Sequence, residues 1–536
     1  VREAKDTGQD AAIAFLASPG SYGAAETAEV KRIDTHGAIV FLVGERAYKL
    51  KRAVSFSYMD FSTVAKRESA CRAELALNRR TAPEIYLGVR SIRRRANGTI
   101  GFDGEGEILD WIVVMRRFDE DNLFDHLAER GVLSETMIVE LSRVIAAFHR
   151  GAEIVRDRGG SAGMTAQITS DEENLLLGTP AVFDRAECEA LVRGWREVLA
   201  RNADVLDARR RDGKVRRCHG DLHLRNICLW HGTPTLFDCI EFNEAIACID
   251  VLYDLAFLLM DLSQRRLDRF ANLVFNSYLD AVDETDGLAA LPLFLSLRAA
   301  IRAHTGVAAA GTQAAPEKSR REIAAAKRYF VMSQSLLHPA APLLVAIGGL
   351  SGTGKSTVAR ALAPALGAAP GARLLHSDAI RKRLFGRELH ERLPQEAYAP
   401  EVSARVYARQ REEAAAVLRT GHSVIIDAVF AGPEERDAAA AVARACGTGF
   451  TGLWLTAPAE VLRGRVARRR GDMSDATTDI LETQLGYALG TIDWQMVDAS
   501  GTADECLRNS HAALGIPPRQ INDNGATTEV LSTSHP

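Results

Sequence analysis

The sequence predicts a multidomain protein that joins an α+β half to an α/β half with a mostly parallel sheet. Three observations predict it. The chain has 536 residues, room for three or four folding units at about 150 residues each. Residues 33–118 read as short strands broken by turn signals, and residues 119–337 read as helices. From Leu343 onward, apolar runs alternate with amphipathic helices, the rhythm of a parallel sheet covered on both faces.

Ile33–Val54 reads as two strands around a turn: Ala38–Val43 is apolar, Gly44-Glu45-Arg46 turns, and Ala47–Lys51 alternates. Phe61–Arg80 spaces Val64, Ala65, Leu75 and Leu77 among charges and stops before Pro83, as a helix does. Ile85–Ile92, Thr99–Phe102 and Trp111–Met115 are further strands, with Asn97-Gly98 as a tight turn. Helices follow at Asn122–Glu129, Ser134–His149 and Asp184–Ala208, interrupted by a strand–loop–strand insert at Val215–Asp238. The apolar stretch Ile246–Leu262 carries Asp250, Asp254 and Asp261, so it reads as a core helix and not as a membrane span. Residues 305–322 are rich in Ala, Gly, Gln and Pro before a last helix runs to about Leu337. Pro339 and Pro342 place the main boundary at 338–342. The expected domains are 1–337, with lobes at about 26–118 and 119–337, and 343–517; the apolar-poor residues 518–536 form a disordered tail.

Composition narrows the function classes. Hydrophobic residues at 47% and charged residues at 25% exclude wholesale disorder. Sixty-six basic against seventy acidic side chains, a net charge of -4, argue against a globally basic nucleic-acid binder and leave room only for a local basic groove. The eight cysteines are scattered without a C-x-x-C pair and read as reduced thiols of a cytoplasmic protein. Ala11–Ala17 is too short, and Glu3, Asp6 and Asp10 too acidic, for a secretory leader. The chain opens on Val1 instead of Met, as a trimmed chain would.

The strongest chemical signal is Gly349-Leu-Ser351-Gly352-Thr353-Gly354-Lys355-Ser356, which fits G-x-x-x-x-G-K-[ST] in full between an apolar strand and a helix. Glycines let backbone N–H groups curl around phosphate at the positive end of that helix. Lys355 would reach the β- and γ-phosphates, Ser356 would ligate Mg²⁺, and Thr357 continues the motif. Ser423-Val-Ile-Ile-Asp427 is a buried strand ending in a carboxylate, suited to the metal side or, alternatively, to capping a turn. His376-Ser377-Asp378-Ala-Ile-Arg381 follows the second strand: Asp378 could accept a proton from an attacking hydroxyl with Arg381 steadying phosphate, or Ser377 or Asp378 could open the helix as its N-cap. Arg463, Arg465, Arg468, Arg469 and Arg470 precede the polar stretch Gly471–Thr478; they fit a phosphate-neutralising flap or a solvated helix face.

These motifs resemble those of the P-loop kinases, in the group spanning gluconate-type small-molecule kinases, polynucleotide 5′-hydroxyl kinases and zeta-toxin-like sugar-nucleotide kinases. The resemblance covers roughly Leu343–Pro517 and implies a P-loop NTPase fold, ATP with Mg²⁺, Asp378 as base toward the acceptor, and nucleotide contacts from Arg465 and Arg469.

A second constellation lies upstream. His219-Gly-Asp221-Leu-His-Leu-Arg-Asn226 is followed twelve residues on by Leu236-Phe-Asp238. Asp221, Asn226 and Asp238 supply the carboxylate toward an acceptor hydroxyl, the amide oxygen and the second carboxylate that phosphoryl transfer from Mg²⁺-ATP needs. Lys49, in Ala47-Tyr-Lys49, is the candidate for gripping α/β-phosphates, with Lys51 on the same strand face competing. Glu74 is the candidate ion-pair partner, with Glu68 as fallback, and Met115 would present backbone to the adenine. His219 and His223, four apart, would share a metal only on a helix, which the glycine and the strand-like flanks oppose.

This constellation resembles the aminoglycoside phosphotransferase family, over roughly Ile33–Leu337. The resemblance implies a protein-kinase-like bilobal fold, with a β-rich first lobe and a helical second, and a supporting role for Asp254 of Asp254-Leu-Ala256 beneath the catalytic loop. Two departures stand out: Asp34-Thr-His-Gly37 occupies the place of the usual G-x-G-x-x-G loop, and no A-P-E segment follows. The two-part arrangement is similar to bacterial fusion proteins described as bifunctional aminoglycoside phosphotransferase/ATP-binding proteins. The expected activity is transfer of the γ-phosphoryl group of ATP to hydroxyl groups of small polar metabolites, one site in each half. The competing readings are a polynucleotide 5′-hydroxyl or nucleotide-sugar kinase in the second half, with Trp454 and Trp494 the only obvious stacking candidates and nucleic acid not favoured as a partner, and a regulatory ATP-binding half. Acceptor, ATP-versus-GTP preference and oligomeric state stay open at this level.

Overall fold

The computed structural model describes residues 2–3, 7–23, 29–56, 59–311, 315–387, 391–468, 477–516, 520–521 and 527–528. The chain forms two compact units: Val1–Asp261 with Ala300–Arg328, and Leu262–Ala299 with Tyr329–Pro536. The division runs through the helical region; His338–Pro342 is the irregular passage between a helix and the next strand.

The first unit opens with α1 (Thr7–Ala17), then β1 (Lys31–Asp34), β2 (Ala38–Val43), β3 (Arg46–Lys51), α2 (Val64–Asn78), β4 (Tyr86–Arg94), β5 (Ile100–Phe102) and β6 (Glu107–Arg116). The strands make one antiparallel sheet in the order β1-β2-β3-β6-β4-β5. Residues of alternating direction divide its faces. Phe41, Tyr48, Leu50, Ile112 and Val114 pack under Ala12 and Leu16 of α1, while Trp111 and Val113 pack against Cys71 of α2. Period two therefore sends Lys49 and Lys51 together to the α2 face. Where two strands were expected over Ile33–Val54, β1, β2 and β3 fall there and a two-residue strand, Val54–Ser55, starts at its end; β1 is separate from β2 because Thr35–Gly37 is itself a tight turn, with Thr35 N–H donating to Ala38 O at 2.9 Å. Gly98, at φ 82°, makes the Asn97-Gly98 turn.

Helical structure follows: α3 (Glu135–Gly151), α4 (Gly160–Leu177) and α5 (Arg185–Arg211), then β7 (Val215–Arg217), β8 (Ile227–Trp230), β9 (Thr233–Leu236), β10 (Cys248–Asp250) and α6 (Val251–Gln264). β8 and β9 form one antiparallel hairpin, and β7 pairs antiparallel with β10. Neither α1 nor α4 was expected. In α4, glycines, serines and threonines disguise a face of Met164, Ile168, Asp171 and Leu175 that is buried at helical spacing. Helices α7 (Asp268–Ala281), α8 (Leu291–Gly311) and α9 (Pro316–Leu336) complete the region.

The second unit continues with β11 (Leu343–Gly348), α10 (Lys355–Leu362), β12 (Arg373–His376), α11 (Ser377–Leu384), α12 (Pro400–Arg419), β13 (Val424–Asp427), α13 (Pro433–Cys446), β14 (Gly449–Thr456), α14 (Ala459–Arg468), α15 (Thr478–Leu485), β15 (Gln495–Asp498) and α16 (Ala503–Leu514). Its five strands are all parallel, in the order β12-β13-β11-β14-β15. Val345, Ile347, Ile425, Leu453, Leu455 and Val497 meet Val358 and Leu362 of α10 in the core. The N-terminal part of the edge strand β12 is covered by α7. Asn276 Oδ1 accepts the Leu374 N–H at 2.7 Å and its Nδ2 donates to Ala372 O at 3.2 Å. Asn272 Nδ2 donates to Ala372 O at 3.0 Å and Pro370 O at 3.2 Å, and Arg373 reaches back to Asp280 at 2.6 Å. A side-chain amide thus supplies the donor and acceptor that a neighbouring strand would supply, which removes a sticky edge. Among the described residues no helix is long and apolar enough to cross a membrane.

Candidate active sites

In the first unit, β3 and α2 bring two lysines to one carboxylate. Lys49 Nζ lies 2.9 Å from Glu74 Oε1 and 2.5 Å from Asp238 Oδ1. Lys51 Nζ pairs with Glu74 Oε2 and with Glu241. The two candidates divide the work: Lys49 joins Glu74 to the carboxylate at the end of β9, while Lys51 is sealed behind it, 4% exposed and beside the Phe61 ring. Burial alone would raise the Glu74 pKa; Lys49 and Lys51 outweigh it and hold the carboxyl below its ordinary value. Glu68 instead pairs with Arg72 on the helix surface.

Asp238 sits at φ 63°, a left-handed backbone that costs a non-glycine residue on the order of 1–3 kcal/mol. Its surroundings hold it there: its own N–H donates to Tyr86 Oη at 3.2 Å, and the Cys239 N–H to Asn78 Oδ1 at 2.8 Å. The loop before β8 is held as firmly. Asp254, at the start of α6, accepts the His219 N–H at 3.1 Å and the Gly220 N–H at 2.8 Å, and His149 Nε2 lies 3.1 Å from it. Glycine suits position 220 twice over: its φ is 84°, and a Cβ there would press on Ile240 at 3.2 Å. Asn226 Nδ2 then donates to both Asp221 O and Asp221 Oδ2, each at 2.9 Å. Burial opposes ionisation of Asp221, but His223 above all, 3.4 Å away, then His219 and Arg302, hold its carboxyl well below the usual range. The Asp34–Gly37 turn puts His36 where the charges of Asp221 and Asp238 act on it, against a lowering imposed by burial. Met115 is half-buried near the end of β6, paired with Ala47 and Tyr86.

In the second unit, the loop after β11 carries Gly349 at φ 141° and Gly352 and Gly354 at φ 88°. A Cβ on Gly349 would meet Leu455 O at 2.6 Å, so the loop can follow this path only with glycine there. Thr353 Oγ1 donates to Leu350 O at 2.8 Å, and Lys355 Nζ folds back onto Gly349 O at 2.8 Å and Leu350 O at 3.1 Å. Ser356 Oγ donates to Asp427 Oδ2 at 2.6 Å. Parallel pairing of β11 with β13 aligns Ile347 with Asp427, which brings this carboxylate to the loop. Its other oxygen lies 2.8 Å from His376 Nδ1. Burial would raise the Asp427 pKa; His376, Ser356 and Lys355 keep it low, while Asp427 raises that of His376 against the same burial. Ser356 Oγ with Asp427, and Asn226 with Asp238, are all-oxygen donor sets of the kind that suits Mg²⁺.

The remaining candidates are spread out. Asp378 is half-buried in the first turn of α11. Arg381 is buried, its Nη1 donating to Ala397 O at 2.6 Å and Ser403 Oγ at 3.2 Å, with its guanidinium over the Tyr398 ring. Arg465 donates to Ala499 O and Gly501 O, each at 2.7 Å, and lines a cavity of about 640 Å³ with Glu460, Val461, Gly464, Arg468 and Ser500. Thr357 is exposed on α10. Arg469 and Arg470 lie outside the described residues. Trp454 is 3% exposed. Trp494 covers Gly452, where a Cβ would meet it at 2.3 Å; both rings serve packing. Four partners escaped the sequence reading: Glu241, His376, Gln410, whose Nε2 donates to Leu375 O at 2.6 Å and Asp427 O at 3.1 Å, and Gln484, whose Oε1 accepts the Ser351 N–H at 2.7 Å. Only His376 carried a signal, its place at a strand end beside Asp378.

The two folds and their sites define a phosphotransferase of the kinase class. A model of the phosphotransferase enzyme family matches residues 101–291, and a model described as an AAA domain matches residues 344–488. An uncharacterized protein of Mycobacterium tuberculosis H37Rv is 28% identical over 497 residues, which cover 89% of this chain and 94% of that one. Among solved structures, a gluconokinase from Sinorhizobium meliloti 1021 is similar at 24% identity over 32% of this chain and 92% of that chain, with a TM-score of 0.24. A choline/ethanolamine kinase family protein from Mesorhizobium loti is similar at 16% identity over 62% and 95%, with a TM-score of 0.39.

Proposed function

We propose that the chain is a bifunctional kinase that moves the γ-phosphoryl group of ATP to hydroxyl groups of small polar metabolites, with one active site in each unit. The observation that supports this reading is that each unit gathers candidate groups of its own: Lys49–Glu74–Asp238 with Asp221–Asn226, and Lys355 with Ser356–Asp427. Mg²⁺, held by Asn226 and Asp238 in one site and by Ser356 and Asp427 in the other, would offset charge on the phosphates.

In the first site Lys49 steadies the phosphates and Asp221 receives the acceptor hydroxyl. Asn226 fixes the Asp221 carboxylate through Oδ2, and the acceptor hydroxyl would meet Oδ1 beside His223, which lies 3.4 Å from it. A carboxylate held so firmly ionised is a weak base, which suffices where the transition state is loose and the proton leaves late. In the second site the loop N–H groups and Lys355 bind phosphate, and Asp378, at the carboxyl end of β12, receives the acceptor. The packing roles of Trp454 and Trp494 favour small acceptors over a stacked nucleic-acid strand.

The test is Mg²⁺- and ATP-dependent ADP release over sugars, polyols, sugar acids, nucleosides and aminoglycosides, on wild type, Asp221→Ala and Lys355→Ala. Each variant should abolish one acceptor-stimulated activity and spare the other. Turnover that no acceptor stimulates and neither variant lowers would refute the reading.

A further inference from the structure

Gln484 is a buried amide on α15, 6% exposed, with one of its two ends in use. Helix α15 is fixed in place: Leu481 packs with Leu462 and Val466 of α14 and with Leu350 of the phosphate loop, and Glu482 pairs with Arg463 at 2.6 Å. The Ser351 N–H can be accepted only by the amide oxygen, so the orientation of the group is settled by its partner. The Nε2 end has no hydrogen-bond partner among the described residues. An amide N–H₂ beside the loop with no protein acceptor of its own can donate to a ligand oxygen.

The location names the acceptor. Ser351 follows Gly349 and Leu350, the two residues whose carbonyls hold Lys355 Nζ. Lys355 is the side chain that reaches the β- and γ-phosphates in loops of this pattern. Gln484 and Lys355 therefore flank the same three-residue crest of the loop, one through a backbone N–H and the other through backbone carbonyls.

We propose that Gln484 is a terminal-phosphate sensor: its Oε1 fixes the loop crest at Ser351 while its Nε2 donates to the γ-phosphate of the bound nucleoside triphosphate. The proposal rests on the reading of this loop as a nucleotide site. It explains why a glutamine, with an acceptor and a donor on one shared carbon, stands where an acceptor alone would satisfy Ser351.

The test is binding of Mg²⁺-AMP-PNP and of Mg²⁺-ADP to the full chain by calorimetry, in wild type, Lys355→Ala, Gln484→Ala and Gln484→Glu. The binding component lost in Lys355→Ala belongs to this loop. In that component Gln484→Ala should lower the preference for AMP-PNP over ADP by roughly tenfold, the size expected of one hydrogen bond to a charged group. Gln484→Glu keeps the Ser351 acceptor but sets a carboxylate against phosphate, so its preference should fall at least as far, with the melting temperature near that of wild type. An unchanged AMP-PNP/ADP ratio in Gln484→Glu, or equal weakening of both nucleotides in Gln484→Ala with rescue by Gln484→Glu, would overturn the proposal and leave Gln484 as a structural clip. If Lys355→Ala removes no binding component, the nucleotide reading of the loop fails instead, and the sensor fails with it.

Discussion

Replacing Asn276 by alanine should destabilise the second unit and spare the first. The amide accepts the Leu374 N–H and donates to Ala372 O; Arg373 Nη1 also bonds Asn276 Oδ1, at 3.1 Å. Alanine strands the Leu374 N–H, at a penalty of about 1–3 kcal/mol for a buried group without a partner. Ala372 O keeps its bond from Asn272 and adds little. Losing the charged-donor bond from Arg373, which retains Asp280, adds about 1 kcal/mol. The sum is about 2–4 kcal/mol. At about 2–4 °C per kcal/mol for a unit of this size, the melting temperature should fall by roughly 4–16 °C. Differential scanning calorimetry with and without Mg²⁺-ATP would assign the transitions, and Lys355→Ala would mark the one that ligand protects through the loop. An unshifted second-unit transition in Asn276→Ala, or a shift confined to the other transition, would show that α7 does not hold this edge.

Lys51→Met should cost the first unit about 3 kcal/mol by leaving Glu241 buried without its partner, and Lys51→Met with Glu241→Leu should recover most of that loss in chemical denaturation. Lys49→Met should instead abolish turnover that depends on Asp221 at a smaller cost in stability, since Glu74 keeps Lys51. Ser356→Ala should lower turnover that depends on Lys355 by about 100-fold and leave the other activity unchanged in the same ADP-release assay. His422, buried in the second unit beside Phe275, is lowered by burial to about 4. The unfolded chain takes up this proton near pH 6.5 and the folded one only near 4, so stability falls as pH drops through that interval, by up to about 3 kcal/mol. His422→Leu should flatten the slope of unfolding free energy between pH 6.5 and 4.

Legibility in the sequence followed the range of the physics. The phosphate loop and the Asp221–Asn226 pair are local patterns in which spacing and backbone shape decide together, so a string of letters carries them. Strand β3 could be read to the face, since alternation alone puts Lys49 and Lys51 on one side. Which lysine meets which carboxylate depends on Glu241, three residues past Asp238, and on a turn no local rule describes. Helix α4 hid because its buried face includes an aspartate and its surface is dressed in glycine, serine and threonine. Gln410 on α12 and Gln484 on the short helix α15 act through single amides, and on a helix glutamine is an ordinary surface residue. Asn272 and Asn276 are four apart on α7 and look equally ordinary until β12 lies beside them.

The pairing of α7 with β12 has a consequence for the order of synthesis. The chain changes unit after Asp261, after Ala299 and again after Arg328. Arg373 therefore leaves the ribosome 97 residues after Asn276, a wait on the order of 5–20 s at ordinary elongation rates. During that interval α7 presents two asparagines to solvent, and the strand they cover does not yet exist. Gene fusions that exchange one half of this protein at residues 338–342 would inherit the mismatch permanently: a sheet edge without its cover in one product, and a cover without its edge in the other.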